Sequence, residues 1–397
     1  WAIGGLTAND RAAGQLVSEN DPRFGSTAKA GLLRVQREFG RQSRIGGFAS
    51  RRDFGNESNT VASIDTRLRL TPTWFFTGQS VRSTRVTQAG VRTSGSAHHA
   101  ELLRAGRSFT YSTSYRDFSP DFRADLGFIR RVNMRSLDQF AGYTWWREGD
   151  FLQSFGPSFT GLVNYDHAGR LQDWSLFADF VMRFRGSTEL HASRVESYEF
   201  FDRGFRKGRY DVSFFTAWLR WLSFSASLGQ GDEVNYSPPA GLPPFLGSST
   251  DVSFTATYRP VKRFRLDQSY VYTKLDTQAG QLPSLSLSGA KIFRNSISRS
   301  KINYQFTKAL SLRLILDHFL LNPNPALIEA GNFKRFSGDV LLTYLVNPWT
   351  ALHVGYVDRY DNVVLDPLGR PGILTTDSID TSTARQFFVK LSYLLRY

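Results

Sequence analysis

The side chains best able to do electrostatic work in this chain recur at even spacings. Arg34 and Glu38, Asp65 with Arg67 and Arg69, Asp179 with Arg183, Arg265 with Asp267, and Arg313 with Asp317 form five such groups. On a strand, residues two or four apart share a face. Each group therefore sets a guanidinium beside a carboxylate on one side of a strand. Facing a watery interior, an excess of arginine would make a field that favours anions. The same residues can instead pair off as a salt-bridge ladder, each rung worth little where exposed. Pairing is the better reading of any single residue, while the collective positive bias argues for the field.

Other chemistry finds little support. His98 and His99 are the one adjacent histidine pair, and neighbours on a strand point to opposite faces, so they do not chelate together. Catalytic zinc asks for three protein ligands. Asp358, Asp361 and Asn362 offer oxygen ligands but lack the twelve-residue calcium loop pattern. Ser–His–acid sets can be drawn from 6 histidines and many serines, yet no Gly-x-Ser-x-Gly elbow is present. No phosphate loop or dinucleotide fingerprint stands out. With no cysteine, disulfides, thiol catalysis and thiolate metal sites fall away. The expectation is a protein without catalytic residues, metal or cofactor.

Strands must position these residues. Val252, Phe254, Ala256 and Tyr258 alternate with Ser253, Thr255 and Thr257; Ile64, Leu68 and Leu70 oppose Asp65, Arg67 and Arg69. Trp174, Leu176, Phe180 and Phe184 share a face, opposite Ser175, Asp179 and Arg183. Leu312, Leu314, Leu316 and Leu320 oppose Arg313 and Asp317, and Val340, Leu342, Tyr344 and Val346 oppose Asp339 and Thr343. Alternating segments of about ten residues between turns are the pattern of a transmembrane barrel. Such a chain has modest mean hydropathy (here −0.31) because lipid-facing and interior residues alternate. No run approaches the roughly 18 apolar residues of a membrane helix. Aromatic residues, at 14%, suit interfacial girdles.

Connections sort by length. Gly40–Ser43, Thr71–Thr73, Arg185–Ser187, Arg259–Lys262, Thr307–Leu310 and Asn347–Thr350 read as short turns. Asp10–Thr27, Tyr236–Ser249, Thr277–Arg299, Asn322–Arg335 and Leu365–Ser382 read as long loops, strictly alternating with short turns in the second half. Short periplasmic turns and long outer loops are the habit of outer-membrane barrels. The expected fold is all-β, a single antiparallel transmembrane β-barrel over residues 1–397, with about 20 strands (18 to 22) and both ends on the short-turn side. Ser108–Trp146 is the least regular stretch, and Asp121–Arg131 within it fits either a loop or a strand pair. Loop Thr277–Arg299, with Leu282, Leu285, Leu287 and Ile292, fits equally an inward plug and an outer loop packed on its neighbours. Ser237-Pro238-Pro239 and Leu242-Pro243-Pro244 read as rigid braces.

The C-terminal segment carries its own signal. Phe387, Val389, Leu391, Tyr393, Leu395 and Tyr397 line one apolar face, with Lys390, Ser392 and Arg396 on the other. Lys390, Ser392, Leu395 and Tyr397 resemble the C-terminal assembly signal of outer-membrane barrels, with serine where that pattern prefers glycine. The implied partners are outer-membrane lipid and lipopolysaccharide, and the barrel-assembly machinery acting on this strand. Net charge is +14, from 40 arginines and 9 lysines against 35 acids. These are scattered and accompany no nucleic-acid motif, so no nucleic-acid partner is expected. Arginine at the rim suits lipopolysaccharide phosphate. The chain starts at Trp1 with no apolar leader, so a signal peptide and a preceding domain are expected upstream.

The stretch Tyr115 to Arg131, with Ser119-Pro120-Asp121-Phe122 and Gly127-Phe128-Ile129-Arg130-Arg131 at its core, followed by aromatic Phe140–Trp146, resembles a motif of a large uncharacterised bacterial family. In that family a barrel of unknown function follows a carbohydrate-binding-like domain. The resemblance implies an outer-membrane location and hints at a sugar-related role. The expected function is a porin-like channel for small solutes, anionic or sugar-related. The alternative is a plugged barrel that anchors a periplasmic partner or serves a larger envelope or secretion complex. An outer-membrane hydrolase and a soluble β-sandwich rank lower.

Overall fold

The computed structural model describes all residues except 148, 150, 283–288, 348, 367, 369–371 and 395–397. The strands are β1 (Ala2–Asp10), β2 (Ala28–Phe39), β3 (Ser43–Phe54), β4 (Glu57–Arg69), β5 (Trp74–Val86) and β6 (Arg92–Ala105). Then come β7 (Phe109–Phe118), β8 (Met134–Tyr143), β9 (Trp145–Trp146), β10 (Leu152–Tyr165), β11 (Leu171–Phe184), β12 (Thr188–Phe201) and β13 (Arg203–Leu219). The last ten are β14 (Leu222–Asn235), β15 (Phe245–Tyr258), β16 (Phe264–Thr277), β17 (Lys291–Gln305), β18 (Leu310–Pro323), β19 (Phe333–Asn347), β20 (Thr350–Asp361), β21 (Val363–Leu365), β22 (Ile373–Thr375) and β23 (Thr381–Tyr393). A single helical turn, α1 (Ala12–Gln15), lies in the first loop.

Contacts divide the chain into two units. The first holds Trp1–Trp145, Gly156–Ala178 and Ser197–Gly204; the second holds Trp146–Phe155, Asp179–Glu196 and Phe205–Tyr397. Among the described residues 21 strands belong to one sheet, and β21 with β22 forms a separate hairpin. In the first unit each strand from β1 to β8 pairs antiparallel with the next, and β8 with β10. In the second unit the same holds from β13 to β20, and then β20 pairs with β23. This is the all-β, antiparallel, up-and-down sheet of the transmembrane-barrel class.

One strand is interrupted. β8 and β9 are separated by Thr144, and both pair with β10. The Thr144 amide turns away to the Ser108 carbonyl at 2.7 Å. The cause lies opposite, where Gly156 approaches so closely that a Cβ there would lie 1.8 Å from the Tyr143 carbonyl oxygen. Counting β8 and β9 as one pass turns the 21 sheet strands into 20 passes, the number expected from the alternation.

Register places the two faces. Arg34 stands opposite Phe48 and Phe48 opposite Ser63, so Arg34 shares its face with Asp65, Arg67 and Arg69. The reverse face carries Leu33, Ile45 and Ile64, the last 68% exposed. In the second unit Ser227, Ser253 and Val271 run along one face, and Leu228, Val252 and Tyr272 along the other. The described part of the last strand obeys the same rule. Phe387, Val389, Leu391 and Tyr393 stand on the apolar face and are exposed, while Lys390 and Ser392 stand on the polar face. Leu395 and Tyr397, the remainder of the assembly signal, lie outside the described residues.

Several loop boundaries move. Asp121–Arg131 is loop, not a strand pair, since no strand lies between Phe118 and Met134. Thr277–Arg299 is shorter than the sequence suggested, because β17 starts at Lys291. Its run of Lys291, Arg294 and Asn295 lacked alternation, and Ile292 sits at a register shift beside Leu275 and Asp276 that breaks the period. The loops beginning at Tyr236 and Asn322 also give residues back to β15, β18 and β19. In the Arg185–Ser187 turn, Gly186 and Ser187 both take positive φ (71° and 50°), the twist that joins antiparallel strands tightly.

Phe388 is the apolar exception on the polar face of β23. Its ring lies over Gly355 of β20, its register partner, and a Cβ at Gly355 would meet ring atoms at 2.3 Å. A ring laid over a strand glycine covers backbone that has no side chain of its own. Phe388→Ala is expected to destabilise the folded chain by about 1 kcal/mol, read as a lower denaturant midpoint after refolding in lipid vesicles. An unchanged midpoint would show that the ring contributes nothing to the β20–β23 pairing.

Candidate functional site

The polar face is organised by arginines that reach across strands. In the first unit Arg34 of β2 passes over β3 to Asp65 of β4, with Nη1–Oδ2 at 2.5 Å and Nη2–Oδ1 at 2.7 Å. The strand between them offers Gly46, where a Cβ would lie 2.8 Å from Arg34 Nη2. In the second unit Arg209 of β13 crosses β14 at Gly229 to reach Asp251 of β15, Nη1–Oδ2 at 2.7 Å. Its Nε also donates to Asp211 at 2.9 Å, and Ser249 and Thr273 donate to Asp251. Both bridges use one device: the middle strand gives up a side chain so that a planar guanidinium can bind a carboxylate two strands away.

The remaining candidates find varied partners. Arg265 and Asp267 pair as the sequence suggested, Nε–Oδ2 at 2.7 Å. Arg313 pairs with Asp339 rather than Asp317, and Asp317 with Arg299, each at 3.4 Å. Arg183 reaches Glu189 at 3.3 Å, and Asp179 has no ion-pair partner among the described residues. Arg67 stacks over the Phe75 ring at 5.5 Å, Arg69 donates to the Pro72 carbonyl at 3.4 Å, and Glu38 accepts from Gln36 at 3.5 Å. The four groupings that changed were read along single strands. Side chains across the ladder are as near as residues two apart, and for Arg34, Arg183, Arg313 and Asp317 the partner on another strand won.

A second feature covers this face at the long-loop end. The 119–133 loop folds down onto β4, β5 and β6 rather than standing away from them. Ser119 bonds with Ser96 twice, its amide donating to the Ser96 carbonyl (2.9 Å) and its hydroxyl accepting from the Ser96 amide (2.8 Å). The Arg123 amide donates to Ser83 Oγ at 3.1 Å. Asn59 clamps the next turn, its Nδ2 donating to the Arg123 carbonyl and its Oδ1 accepting from the Asp125 amide. Phe122 is buried, with its ring 5.8 Å from that of Phe118 and its backbone pressed on Gly95. A Cβ at Gly95 would lie 2.2 Å from the Phe122 nitrogen. Arg131 closes the strap on Asp173 (3.0 Å) and Gln172 (3.1 Å). Asn59, Ser83 and Gly95 were missed in the sequence. Their signal is small, polar residues where a wall facing water would carry large ones.

In the second unit three loops meet around Phe245, Leu275, Leu282, Ile292 and Leu327, all buried, with Leu242 and Ile328 packed against them. The described part of the 278–290 loop thus packs on its neighbours, while Leu285 and Leu287 lie outside the described residues. The Leu242 amide donates to the Pro239 carbonyl at 3.1 Å, so the proline pairs brace this cluster. Asn362 is fully buried and ties Lys334, Asn332 and Thr376 by their backbones. Asp361 is taken by Arg335 and Asp358 by Arg385, Tyr356 and Tyr360, so the partial calcium pattern is spent on the protein itself. Among the described residues no cluster of acids or histidines has the make-up of a metal site. His98 and His99 face opposite ways, and His98 Nδ1 sits 3.1 Å from Ser80 Oγ.

The chain's own surface decides its surroundings. Large apolar side chains stand exposed along the strands of both units, among them Leu33, Ile64, Leu176, Tyr210, Leu228 and Phe387. Faces of that extent do not stay in water. Among the described residues no helix is long and apolar enough to cross a membrane, and it is the paired strands that carry the apolar faces. The protein is an integral outer-membrane β protein.

No family profile and no curated protein matches the chain. Solved structures do. The siderophore receptor PirA of Pseudomonas aeruginosa is 9% identical with a TM-score of 0.44, the match covering 85% of this chain and 69% of that one. The alcaligin outer-membrane receptor FauA of Bordetella pertussis is 12% identical with a TM-score of 0.46, over 90% and 69%. OmpT, an outer-membrane protein of Vibrio cholerae, is 11% identical with a TM-score of 0.33, over 98% and 99%. At these scores the likenesses carry no argument about what this chain binds or transports.

Two outcomes follow from this geometry. Removing the Asp65 carboxylate (Asp65→Ala) is expected to cost about 1 to 2 kcal/mol, and less once Gly46→Val has already pushed Arg34 aside. A double-mutant cycle by denaturant unfolding measures the coupling, and strict additivity would deny the bridge. In the first loop, Arg23 donates to both oxygens of Asp21 and holds its carboxyl down at about 2. A depressed acid stabilises the fold above its ordinary pKa near 4 and stops doing so as pH falls through about 2. Pepsin cleavage within residues 11–27 is expected to rise between pH 4 and pH 2, and to be raised already at pH 4 in Asp21→Asn.

Proposed function

We propose that this protein is a channel for small solutes, anionic or sugar-related, across the outer membrane. On this reading the sheet closes on itself, the polar face lines a watery interior, and the 119–133 strap narrows that interior. The observation that carries this reading is the polar face itself: serines, threonines and bridged arginines where a packed core would be apolar. A wall about 20 strands round is too wide for its own side chains to fill. Pairing neutralises individual arginines, but the chain's net charge of +14 leaves the interior biased toward anions. The reading assigns no catalytic role to any residue and calls on no cofactor.

A second reading has its own support. The strap in the first unit and the apolar loop cluster in the second each pack long loops against their own strands, as loops would in a plugged barrel that anchors a periplasmic or envelope partner. A preceding carbohydrate-binding-like domain, as the resemblance implies, suits either reading. On both, the β23 strand with Lys390 and Ser392 is the handle for the barrel-assembly machinery.

Planar-bilayer conductance of the refolded chain separates the two. The channel reading expects steady steps with anion preference under a salt gradient. Deleting residues 121–131 is expected to enlarge the steps while the chain keeps its heat-modifiable migration. A folded chain that stays silent both with and without the strap would sink the channel reading and favour the anchor.

A further inference from the structure

We propose that the apolar face of the first unit carries a site for one anionic, phosphate-bearing lipid, held on the long-loop side of the membrane. The inference rests on that face lying in lipid and is independent of whether the interior conducts.

The acyl half of the site is a groove of about 370 Å³ along β8, β10 and β11, lined by Leu137, Val163, Trp174 and Leu176. Gly161 makes the groove. It stands opposite Gln139 in the ladder, on the same face as Val163, and presents no side chain between Gln139 and Leu176. A Cβ at Gly161 would meet Leu176 Cδ2 at 3.5 Å, an ordinary contact, so the backbone does not demand glycine there. A gap of this shape on a lipid-facing wall is filled by an acyl chain.

The head half lies two residues up the same strand. Arg135, opposite Tyr165, is on the face of Leu137 and next to the 119–133 loop. Its Nε approaches Asp117 Oδ2 at 3.4 Å, and its side chain is 48% exposed. Its two terminal amino groups have no partner among the described residues. Asp117 is held from two other sides: Tyr115 Oη donates to it at 3.2 Å and His167 Nε2 stands 2.9 Å away, with His167 Nδ1 in turn 3.2 Å from Asn133 Oδ1. The neighbouring cations are committed elsewhere, Arg131 to Asp173 and Arg170 to Asp166. Arg135 therefore offers an open pair of N–H groups at the head of the groove, aimed by a carboxylate that is itself fixed. Paired N–H groups of a guanidinium match two oxygens of a phosphate. Basic groove head and apolar groove body together describe an anionic phospholipid.

The test refolds the full chain into vesicles of phosphatidylcholine with phosphatidylglycerol, extracts it gently and counts bound lipid by native mass spectrometry. One phosphatidylglycerol per chain is expected to survive, in preference to phosphatidylcholine. Arg135→Ala is expected to lower its retention about fivefold, the worth of one cation at a membrane surface. Gly161→Leu, which fills the groove and leaves the head intact, is expected to lower it as well. Heat-modifiable migration checks that each variant folds; should Arg135→Ala fail it, Arg135→Lys keeps the charge, loses the N–H pair and takes its place. Equal retention of both lipids, retention untouched by Gly161→Leu, or displacement of the lipid by inorganic phosphate alone would overturn the site.

Discussion

Everything in this structure depends on where backbone N–H and C=O groups find partners. Inside hydrocarbon there is no water to take them, and each one left open costs several kcal/mol. The chain answers with strands that each pair along their length with the next, antiparallel, from β1 to β8 and again from β13 to β20, which then pairs with β23. That answer leaves the side chains free to differ on the two faces. One face meets lipid and carries exposed leucine, isoleucine and aromatic residues; the other carries serine, threonine and paired charges.

The departures from regular pairing sit where side chains or loops need backbone room. Gly46 and Gly229 let guanidinium groups cross a strand, Gly95 lets the strap lie against the wall, and Gly156 accepts the carbonyl of Tyr143. Glycine weakens a strand by its own propensity. In these places the missing Cβ is offset by a bidentate ion pair or a seated loop, and at Gly355 by the ring of Phe388. The ion pairs on the polar face give many of its charges a partner, each pair worth little where water reaches it. What they leave is a basic surplus spread over the strands rather than gathered at a point.

The Ser119 to Arg131 stretch shows how a sequence motif acquires a physical meaning only with its neighbours in place. Ser119, Phe122 and Arg131 are the residues that fasten the strap, to Ser96, Gly95 and the Gln172–Asp173 pair. Phe128, by contrast, is 85% exposed and holds nothing in the described structure. The motif is thus, in large part, a docking sequence for a loop on its own wall.

The alternation of β4, β15, β18 and β23 was enough to specify strands, faces and the number of passes, because a period of two is a property of each strand alone. The alternation of short and long connections in the second half was legible for the same reason, since glycine, proline and asparagine mark turns locally, although three of the long loops proved shorter than expected. The start of β17 was not, since a register shift at Leu275 and Asp276 hides the period there. Arg265 and Asp267 were legible as a pair, being two apart on one strand. Arg34 with Asp65, Arg209 with Asp251 and Arg313 with Asp339 were not. Nor was the seat of the strap on Asn59, Ser83 and Gly95, or the meeting of Arg135 with the groove at Gly161. Each of these depends on which residue of one strand stands beside which residue of another. The sequence by itself determined what each strand shows to lipid and to water; register, a property of strands together, decided which charges meet.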